Sequence, residues 1–225
     1  METSEKLMIR AYLSGLLNSQ LTYFLSQLEG LSGRDNDESI HQTRVMSRRL
    51  RNTLTVFSPY LEKKQVKKWV SSLKSFAGSL TRIRDLDVQI QTLEEEIRKI
   101  SDQKYQAGLI RLQLRKKQRR DKKHVDIHQA ILDFEASKTI SEIKIFIEKN
   151  PYDQDSFTAP EKLKQIANQN LDVLMVKCFG YVPYISDSSQ TEALHNLRIS
   201  IKNLRYMVEL FTPMYPQLNE KLIIL

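Results

Sequence analysis

Apolar residues recur every three or four positions along most of the chain, and this spacing places them on one face of an α-helix. The first such stretch, residues 5–29, contains Leu7, Tyr12, Leu16, Leu17, Leu21, Phe24, Leu25 and Leu28. The same pattern predicts further helices over about 38–57, 60–77, 84–99, 160–179 and 190–211, and one very long or once-broken helical segment over 102–149. We therefore predict an all-α protein.

Glycine and proline residues fall between these stretches, where they are expected to end helices. Gly30, Pro59 and Gly78 mark the ends of the first three predicted helices. The segment 150–160 is predicted to be a loop whose two aromatic residues, Tyr152 and Phe157, pack onto the helices. Capping boxes are predicted to start the last two helices, at Thr158–Glu161 and Ser189–Glu192.

The segment from His41 to Phe57 recurs from His195 to Phe211, at an offset of 154 positions and without a gap over seventeen positions. An internal repeat of this kind indicates that one structural unit occurs twice. The matching pairs are His41/His195, Arg44/Arg198, Val45/Ile199, Arg48/Lys202, Leu50/Leu204, Arg51/Arg205 and Phe57/Phe211. Residues 160–179 match residues 5–29 at the same offset, so the repeated unit also includes the preceding helix.

Each copy of the repeat carries a narrow cationic stripe. On a helix, the histidine and the positions 3, 7 and 10 residues after it fall within an arc of about 80°, with apolar residues on the other side. The first stripe contains His41, Arg44, Arg48 and Arg51, and the second contains His195, Arg198, Lys202 and Arg205. A single stripe of this kind is usually a solvated basic face. Its duplication favours a functional surface.

These residues resemble the signature of the CHAD family, the conserved histidine α-helical domain. The second copy reads His195-Asn-Leu-Arg-Ile-Ser-Ile-Lys-Asn-Leu-Arg-Tyr-Met-Val-Glu-Leu-Phe211, and the first carries Arg48-Arg49-Leu50-Arg51 after its histidine. A third family motif is present as Arg84-Asp85-Leu86-Asp87-Val88. The resemblance covers residues 5 to about 215. It implies paired helical bundles related by a pseudo-twofold axis, with a basic surface that binds inorganic polyphosphate.

The stripes and the resemblance together predict a polyphosphate-binding surface. Its residues are His41, Arg44, Arg48, Arg49, Arg51, Arg115, Arg119, His195, Arg198, Lys202 and Arg205. Arg115 and Arg119 belong to a basic run over 104–123 that holds nine Lys or Arg and one Asp, an excess equal to the net charge of +8 of the whole chain. Like charges at i,i+4 destabilise an isolated helix, so we expect an anionic partner to compensate them.

We predict a single domain over residues 1–225, built from two antiparallel helical bundles. It comprises a first repeat over 5–100, the basic segment over 102–149 and a second repeat over 159–225. Counterparts of the third and fourth helices would occupy about 212–254, but only Thr212–Leu225 is present. The second signature helix should therefore leave an apolar face uncovered, formed by Leu194, Leu197, Ile201, Leu204, Val208 and Phe211. We expect the chain either to self-associate through this face or to be part of a longer protein.

Familiar catalytic motifs are missing from the sequence, including glycine-rich phosphate loops, Gly-x-Ser-x-Gly, His-Glu-x-x-His and Cys-x-x-Cys. Asp85 and Asp87 could hold Mg²⁺, although acids at a helix start more often complement the helix dipole and pair with arginine. His124 and His128 have the spacing of a zinc pair but lack an evident third ligand. Cys178 is expected to be a buried, inert thiol. We predict no catalytic residue, no metal and no cofactor.

Nucleic acid is the main alternative partner, because any phosphate chain is attracted by clustered cations. Single-strand binders stack bases on aromatic rings, however, and such rings are scarce within the two stripes. A structural helical adaptor is a third possibility. Since no secretory signal or long apolar span is visible and the single cysteine fits a reducing compartment, we predict a cytoplasmic protein without membrane contact, associated with polyphosphate granules.

Overall fold

The structure is a computed structural model, which describes residues 3–31, 33 and 37–214. The α-helices are α1 Ser4–Gly30, α2 Asp37–Val56, α3 Lys63–Ser79, α4 Thr81–Lys99, α5 Gln103–Lys122, α6 His124–Ala136, α7 Thr139–Lys149, α8 Glu161–Phe179 and α9 Thr191–Phe211. Short 3₁₀ helices cover Ser58–Tyr60, Val182–Tyr184 and Thr212–Met214. Strands do not occur among the described residues, and the prediction of an all-α protein is confirmed.

The chain divides into two compact units. The central unit is Leu17–Lys149, and the terminal unit combines Met1–Leu16 with Asn150–Leu225. The division falls inside α1, so this helix contributes its first half to one unit and its second half to the other. None of the helices in the described part of the chain combines the length and hydrophobicity that a membrane span requires.

Aromatic side chains form the centre of the core in the central unit. Phe24 of α1 contacts Phe76 of α3 and Phe134 of α6, with ring centroids 6.2 and 5.8 Å apart. The rings of Phe76 and Phe134 are stacked at 4.6 Å. On the other end of α3, the buried Trp69 packs against Phe146 and donates a 2.8 Å hydrogen bond from Nε1 to Glu142 of α7. These contacts join α3 to helices that come before and long after it in the sequence.

The basic segment predicted as one long or once-broken helix is in fact three helices. The first break lies at Lys123, whose N–H donates to the carbonyl of Arg120 in a tight turn. The second lies at Ser137 and Lys138, and Lys138 has a positive φ of 60°. Neither break carries a glycine or proline, so no local residue marks it in the sequence. The turns allow α6 to bury Ile127, Ala130 and Phe134, while α5 has no buried residue.

Two predicted details of the helix boundaries were wrong. Gly78 lies within α3, and α4 begins at Thr81, so that Asp85 and Asp87 lie beyond its first turn and do not serve its dipole. Neither predicted capping box forms. The N-cap positions of α8 and α9 are Pro160 and Gln190, without side-chain capping bonds.

The terminal unit is held together by Tyr12 and by the loop that precedes α8. The Tyr12 hydroxyl donates a 2.7 Å hydrogen bond to the carbonyl of Leu210 at the end of α9. Its ring stacks on Phe157 at 5.5 Å and meets Tyr152 edge-on at 6.0 Å. The Tyr152 ring lies directly against Gly15, where a Cβ would have no room. The two aromatic residues of the loop thus pack onto the helices as predicted.

The repeat seen in the sequence extends over three consecutive elements of the structure. The pairs are α1 and α8, α2 and α9, and the 3₁₀ helices Ser58–Tyr60 and Thr212–Met214, all at the offset of 154 positions. In the central unit the chain continues into α3 and α4. The corresponding part of the second repeat, residues 215–225, lies outside the described residues.

Candidate anion-binding site

The side chains of the first cationic stripe are less exposed than side chains on the solvent face of an ordinary surface helix. His41, Arg44, Arg48 and Arg51 are all half-buried on α2, which packs beside α3 and α4. The Arg44 guanidinium donates a 3.1 Å hydrogen bond from Nη1 to the carbonyl of Ala77 and a second, short bond to the hydroxyl of Thr81. Arg44 therefore ties α2 to the junction between α3 and α4.

Arg84 of α4 joins this stripe, although the sequence prediction did not include it. Burial lowers the pKa of His41 below its ordinary value, and the neighbouring charges of Arg84, Arg44 and Arg48 lower that pKa further. Among these charges Arg84 has the largest effect, and Glu38 opposes them. Burial lowers the pKa of Arg44, the charge of Asp85 opposes this shift, and Arg48 and Arg84 add to it. The only signal for Arg84 in the sequence is its place in the third family motif.

We call the group of His41, Arg44, Arg48, Arg51 and Arg84 the central cationic cluster. Burial lowers the pKa of Arg51, and the charge of Arg48 lowers it further. The Nε of Arg51 donates a 3.2 Å hydrogen bond to the carbonyl of Ser47 in the same helix. The mutual repulsion of these cations is offset only in part by Glu38 and Asp85. An arrangement of this kind is stabilised when an anion binds, because half-burial weakens solvent screening of the attraction.

Arg49 does not belong to this cluster. It follows Arg48 and is rotated by about 100° around the helix, outside the arc that holds the other cations. Its side chain is half-buried. Helix geometry therefore places Arg49 outside the arc of the other predicted residues of α2.

The second stripe lies on α9 in the terminal unit, and its four members are all exposed. Arg205 donates a 3.0 Å hydrogen bond from Nε to Glu209, one helical turn later. Among the described residues, His195, Arg198 and Lys202 have no hydrogen-bond or ion-pair partner. Arg198 occupies the repeat position of Arg44, but no described residue of the terminal unit replaces Ala77 and Thr81 as acceptors.

The basic run on α5 is divided between two faces. One face meets α4, where Arg120 pairs with the buried Asp87 at 2.9 Å, Lys117 pairs with Glu94 at 3.0 Å and Lys116 donates to Gln89 at 2.7 Å. The prediction that Asp87 pairs with an arginine is thereby confirmed. These contacts compensate part of the positive charge from within the protein.

The opposite face of α5 carries cations that have no acid opposite them. Arg111, Arg115 and Arg119 recur at i, i+4 and i+8, and all three are exposed and without a partner among the described residues. Lys122 falls within the same 80° arc at about 100° per residue. We call these four residues the α5 arginine row.

The other candidate ligands do not come together. In the described part of the chain, no three His, Cys, Asp or Glu side chains are grouped as a metal site would require. His128 is exposed, and the side chain of His124 lies outside what the structure describes. Cys178 is half-buried at the end of α8 rather than fully buried as predicted.

Comparison with known proteins places this architecture in a family. The sequence matches the CHAD domain over residues 15–223. The chain belongs to the CHAD family. Its fold is similar to that of the crystal structure of the CHAD domain from the plant Ricinus communis, with a TM-score of 0.67 and 18% identity over 91% of this chain and 65% of that one. It is also similar to PptA from Streptomyces chartreusis, with a TM-score of 0.63 and 21% identity over 89% of this chain and 74% of that one.

The chain thus spans slightly less than two thirds of the length of the Ricinus structure. None of the curated proteins compared with the chain matches it significantly. The CHAD family is associated with polyphosphate, and CHAD domains are generally binding domains. At these levels of identity the solved structures support the shared fold, and the roles of individual residues in this chain depend on its own geometry.

Proposed function

We propose that this CHAD protein binds inorganic polyphosphate without acting on it chemically. The observation that carries the proposal is the central cationic cluster. In this cluster, the histidine and three arginines on one face of α2 lie beside Arg84 of α4. The stripe on α9 and the α5 arginine row supply further contacts. Arg49, which faces elsewhere, is left out of the proposed surface.

The chemistry of these side chains suits a linear phosphate chain. Arginine offers a planar set of donors that can grip two phosphate oxygens, and lysine supplies a compact charge. Neighbouring positions on one helical stripe are about 5–6 Å apart, which is comparable to the separation of alternate phosphates. His41 would donate to a phosphate oxygen once a bound polyanion favours its protonated form.

Binding rather than turnover is inferred from the composition of the cluster. Phosphoryl transfer needs metal ions or an activated nucleophile close to the transferred group. The two acids that act on the cluster, Glu38 and Asp85, influence different cations, and the described residues contain no metal-binding group beside them. The residues present can hold a polyanion and neutralise its charge.

The proposal is tested by titrating the protein with long polyphosphate, with short polyphosphate and with single- and double-stranded DNA of matched charge, each at two salt concentrations. Polyphosphate affinity should fall steeply with salt, with a log–log slope of several units, since each neutralised phosphate releases counterions. DNA of equal charge should bind more weakly. Undetectable polyphosphate binding at low salt would overturn the proposal, and equal affinity for DNA would make nucleic acid the partner.

A pair of variants locates the site. Arg48→Gln with Arg84→Gln removes two charges from the central cluster while leaving the Arg44 tie in place. Each hydrogen bond to a charged group contributes about 1.5–3 kcal/mol, so the double variant should bind at least about tenfold more weakly. Lys64→Gln with Lys67→Gln removes the same charge from exposed positions of α3 and serves as the control. Equal losses of affinity in the two variants would mean that only net charge matters.

We expect the protein to work where polyphosphate accumulates, in cytoplasmic granules. The supporting observation is the α5 arginine row, whose cations would hold the protein on a polyanionic surface. A fluorescent fusion should follow polyphosphate granules in cells, and the R48Q/R84Q variant should do so less. A diffuse distribution of the parent protein would contradict the expected location.

A further inference from the structure

Two of the five N–H donors of the Arg44 guanidinium are held by the protein itself. Both belong to Nη1, which donates to the carbonyl of Ala77 at 3.1 Å and to the hydroxyl of Thr81. The other three donors, on Nε and Nη2, have no hydrogen-bond or ion-pair partner among the described residues. The edge of the guanidinium that Nε and Nη2 form is therefore open to a ligand.

The Thr81 hydroxyl accepts from Arg44 because its own proton is used elsewhere. Thr81 is the first residue of α4, and its Oγ1 donates at 3.2 Å to the carbonyl of Ala77, one turn earlier in α3. A hydroxyl has one proton to donate and two lone pairs that accept. Its proton therefore points to Ala77, and a lone pair points to Arg44. The three groups form a closed ring of hydrogen bonds in which the arginine only donates and the carbonyl only accepts.

The nearby acid leaves the open edge of Arg44 unoccupied. Burial lowers the pKa of Arg44, and the charge of Asp85 opposes this shift. Asp85 is exposed, however, and in the described structure it forms no hydrogen bond or ion pair with the guanidinium. Asp85 thus acts on Arg44 only through its charge. The protein fixes one nitrogen of the guanidinium and leaves the other two available.

We propose that Thr81 is a positioning residue for polyphosphate binding, which holds the Arg44 guanidinium so that Nε and Nη2 donate to two oxygens of one phosphate group. This inference rests on the proposed function. Two parallel N–H donors on a planar guanidinium match two phosphate oxygens in spacing and direction. Ordering a long side chain costs conformational entropy, and here that cost is met when the protein folds rather than when the ligand binds. Thr81 itself does not touch the phosphate.

The second repeat contains the same arginine without this support. Arg198 occupies the repeat position of Arg44, is exposed and has no hydrogen-bond or ion-pair partner among the described residues. Its side chain must be ordered by the ligand itself, so an equal contact with phosphate gives less affinity. Loss of the Thr81 hydroxyl should make Arg44 behave more like Arg198.

The test measures the affinity of four proteins for inorganic tripolyphosphate and for long polyphosphate. Thr81→Val keeps the shape of the side chain but removes the acceptor, and it should bind about three- to tenfold more weakly than the parent. Thr81→Ser keeps the hydroxyl and should bind like the parent. Thr92→Val is the matched control. Thr92 is exposed on the same helix and donates to the carbonyl of Val88 at 2.9 Å, but it accepts from no described side chain.

A double-mutant cycle shows whether Thr81 acts through Arg44. Arg44→Met removes every donor of the side chain, so Thr81→Val should cause no further loss of affinity in the R44M protein. A second readout is the Nε–H signal of Arg44 in nuclear magnetic resonance spectra, assigned by its absence from R44M. This signal should shift when tripolyphosphate binds to the parent. It also decides the question if T81V does not fold, which circular dichroism checks.

The outcomes separate this inference from the proposed function. A parent that binds no polyphosphate overturns both. If the parent binds, only the role of Thr81 is overturned by a T81V protein that binds equally well, by a T81S protein as weak as T81V, or by an equal loss in T92V. An undiminished effect of T81V in the R44M background also overturns it, and so does tripolyphosphate binding that leaves the Arg44 Nε–H signal unmoved.

Discussion

Arg44 and Arg198 occupy the same position of the repeat but have different surroundings. Arg44 donates to Ala77 and Thr81 and is half-buried, whereas Arg198 is exposed. A motif position therefore does not fix a role. In the central unit the arginine joins three helices, and in the terminal unit the same residue type is left to meet solvent or a ligand.

This difference predicts unequal effects on stability. Arg44→Gln should lower the free energy of unfolding by about 1–3 kcal/mol, because it removes two hydrogen bonds from a charged donor and leaves their acceptors partly buried. Arg198→Gln is the matched control and should change the free energy of unfolding by less than about 0.5 kcal/mol. Urea denaturation followed by circular dichroism measures both. Equal decreases in the two variants would show that the Arg44 hydrogen bonds contribute little.

His41 predicts a pH dependence of binding. In the free protein, burial and then Arg84 hold the pKa of His41 below its ordinary 6.5, so the neutral form is favoured. Arg44 and Arg48 act in the same direction, and Glu38 acts against them. A bound polyanion compensates these cations and raises the pKa, so binding takes up a proton. Affinity should therefore rise as pH falls through the interval between the two pKa values.

The measurement is polyphosphate affinity at about pH 8 and about pH 6, for the parent and for His41→Gln. The end groups of polyphosphate also titrate in this interval, so the informative quantity is the difference between the two proteins. The parent should gain more affinity on acidification than H41Q does. Identical pH profiles would mean that His41 stays neutral in the complex.

At the level of helices, the sequence predicted the elements whose apolar pattern is regular and whose ends carry glycine or proline. The spans of α1, α2, α8 and α9 agree closely with prediction. The breaks after α5 and α6 were missed because packing determines them: α6 turns to bury Phe134 against Phe24 and Phe76. Arg84 was missed for a related reason, since only tertiary structure brings α4 beside α2.

The turn between α6 and α7 gives a prediction that isolates backbone strain. Lys138 has a φ of 60°, in the left-handed region that costs a residue with a Cβ about 1–2 kcal/mol. Glycine adopts this conformation freely but loses more entropy on folding. Lys138→Gly should therefore be more stable than Lys138→Ala by a few tenths to about 1 kcal/mol.

The alanine variant is the necessary comparison. The pKa of Glu142 is lowered mainly by the hydrogen bonds from Lys68 and Trp69, and Lys138 adds a smaller effect that both substitutions remove equally. Thermal and urea denaturation at neutral pH provide the free energies of unfolding of the K138G and K138A variants. A K138A protein that is as stable as K138G, or more stable, would show that this turn carries no conformational strain.

For the whole molecule, the distribution of charge matters more than its total. Acids of α4 already compensate one face of α5 through Asp87 and Glu94. Arginines that have no ion pair among the described residues occur in the central cationic cluster, in the α5 arginine row and, as Arg198, on α9. A net charge of +8 would be a general attraction to anions if it were spread evenly. Because the positive charge is concentrated on rigid helices, the cationic side chains can make a set of defined contacts with an anion.

The last prediction distinguishes specific contacts from general attraction on α9. Arg198→Gln with Lys202→Gln should weaken polyphosphate binding and also lower the salt slope, by about 0.7 for each phosphate of a flexible chain that is no longer neutralised. Lys162→Gln with Lys164→Gln removes equal charge from exposed positions of α8 in the same unit and should change the slope less. The slope is obtained from affinities at four or more salt concentrations, with folding checked by circular dichroism. If R198Q/K202Q binds with the parental slope, the second stripe is a solvated surface and the central unit alone holds the polyphosphate.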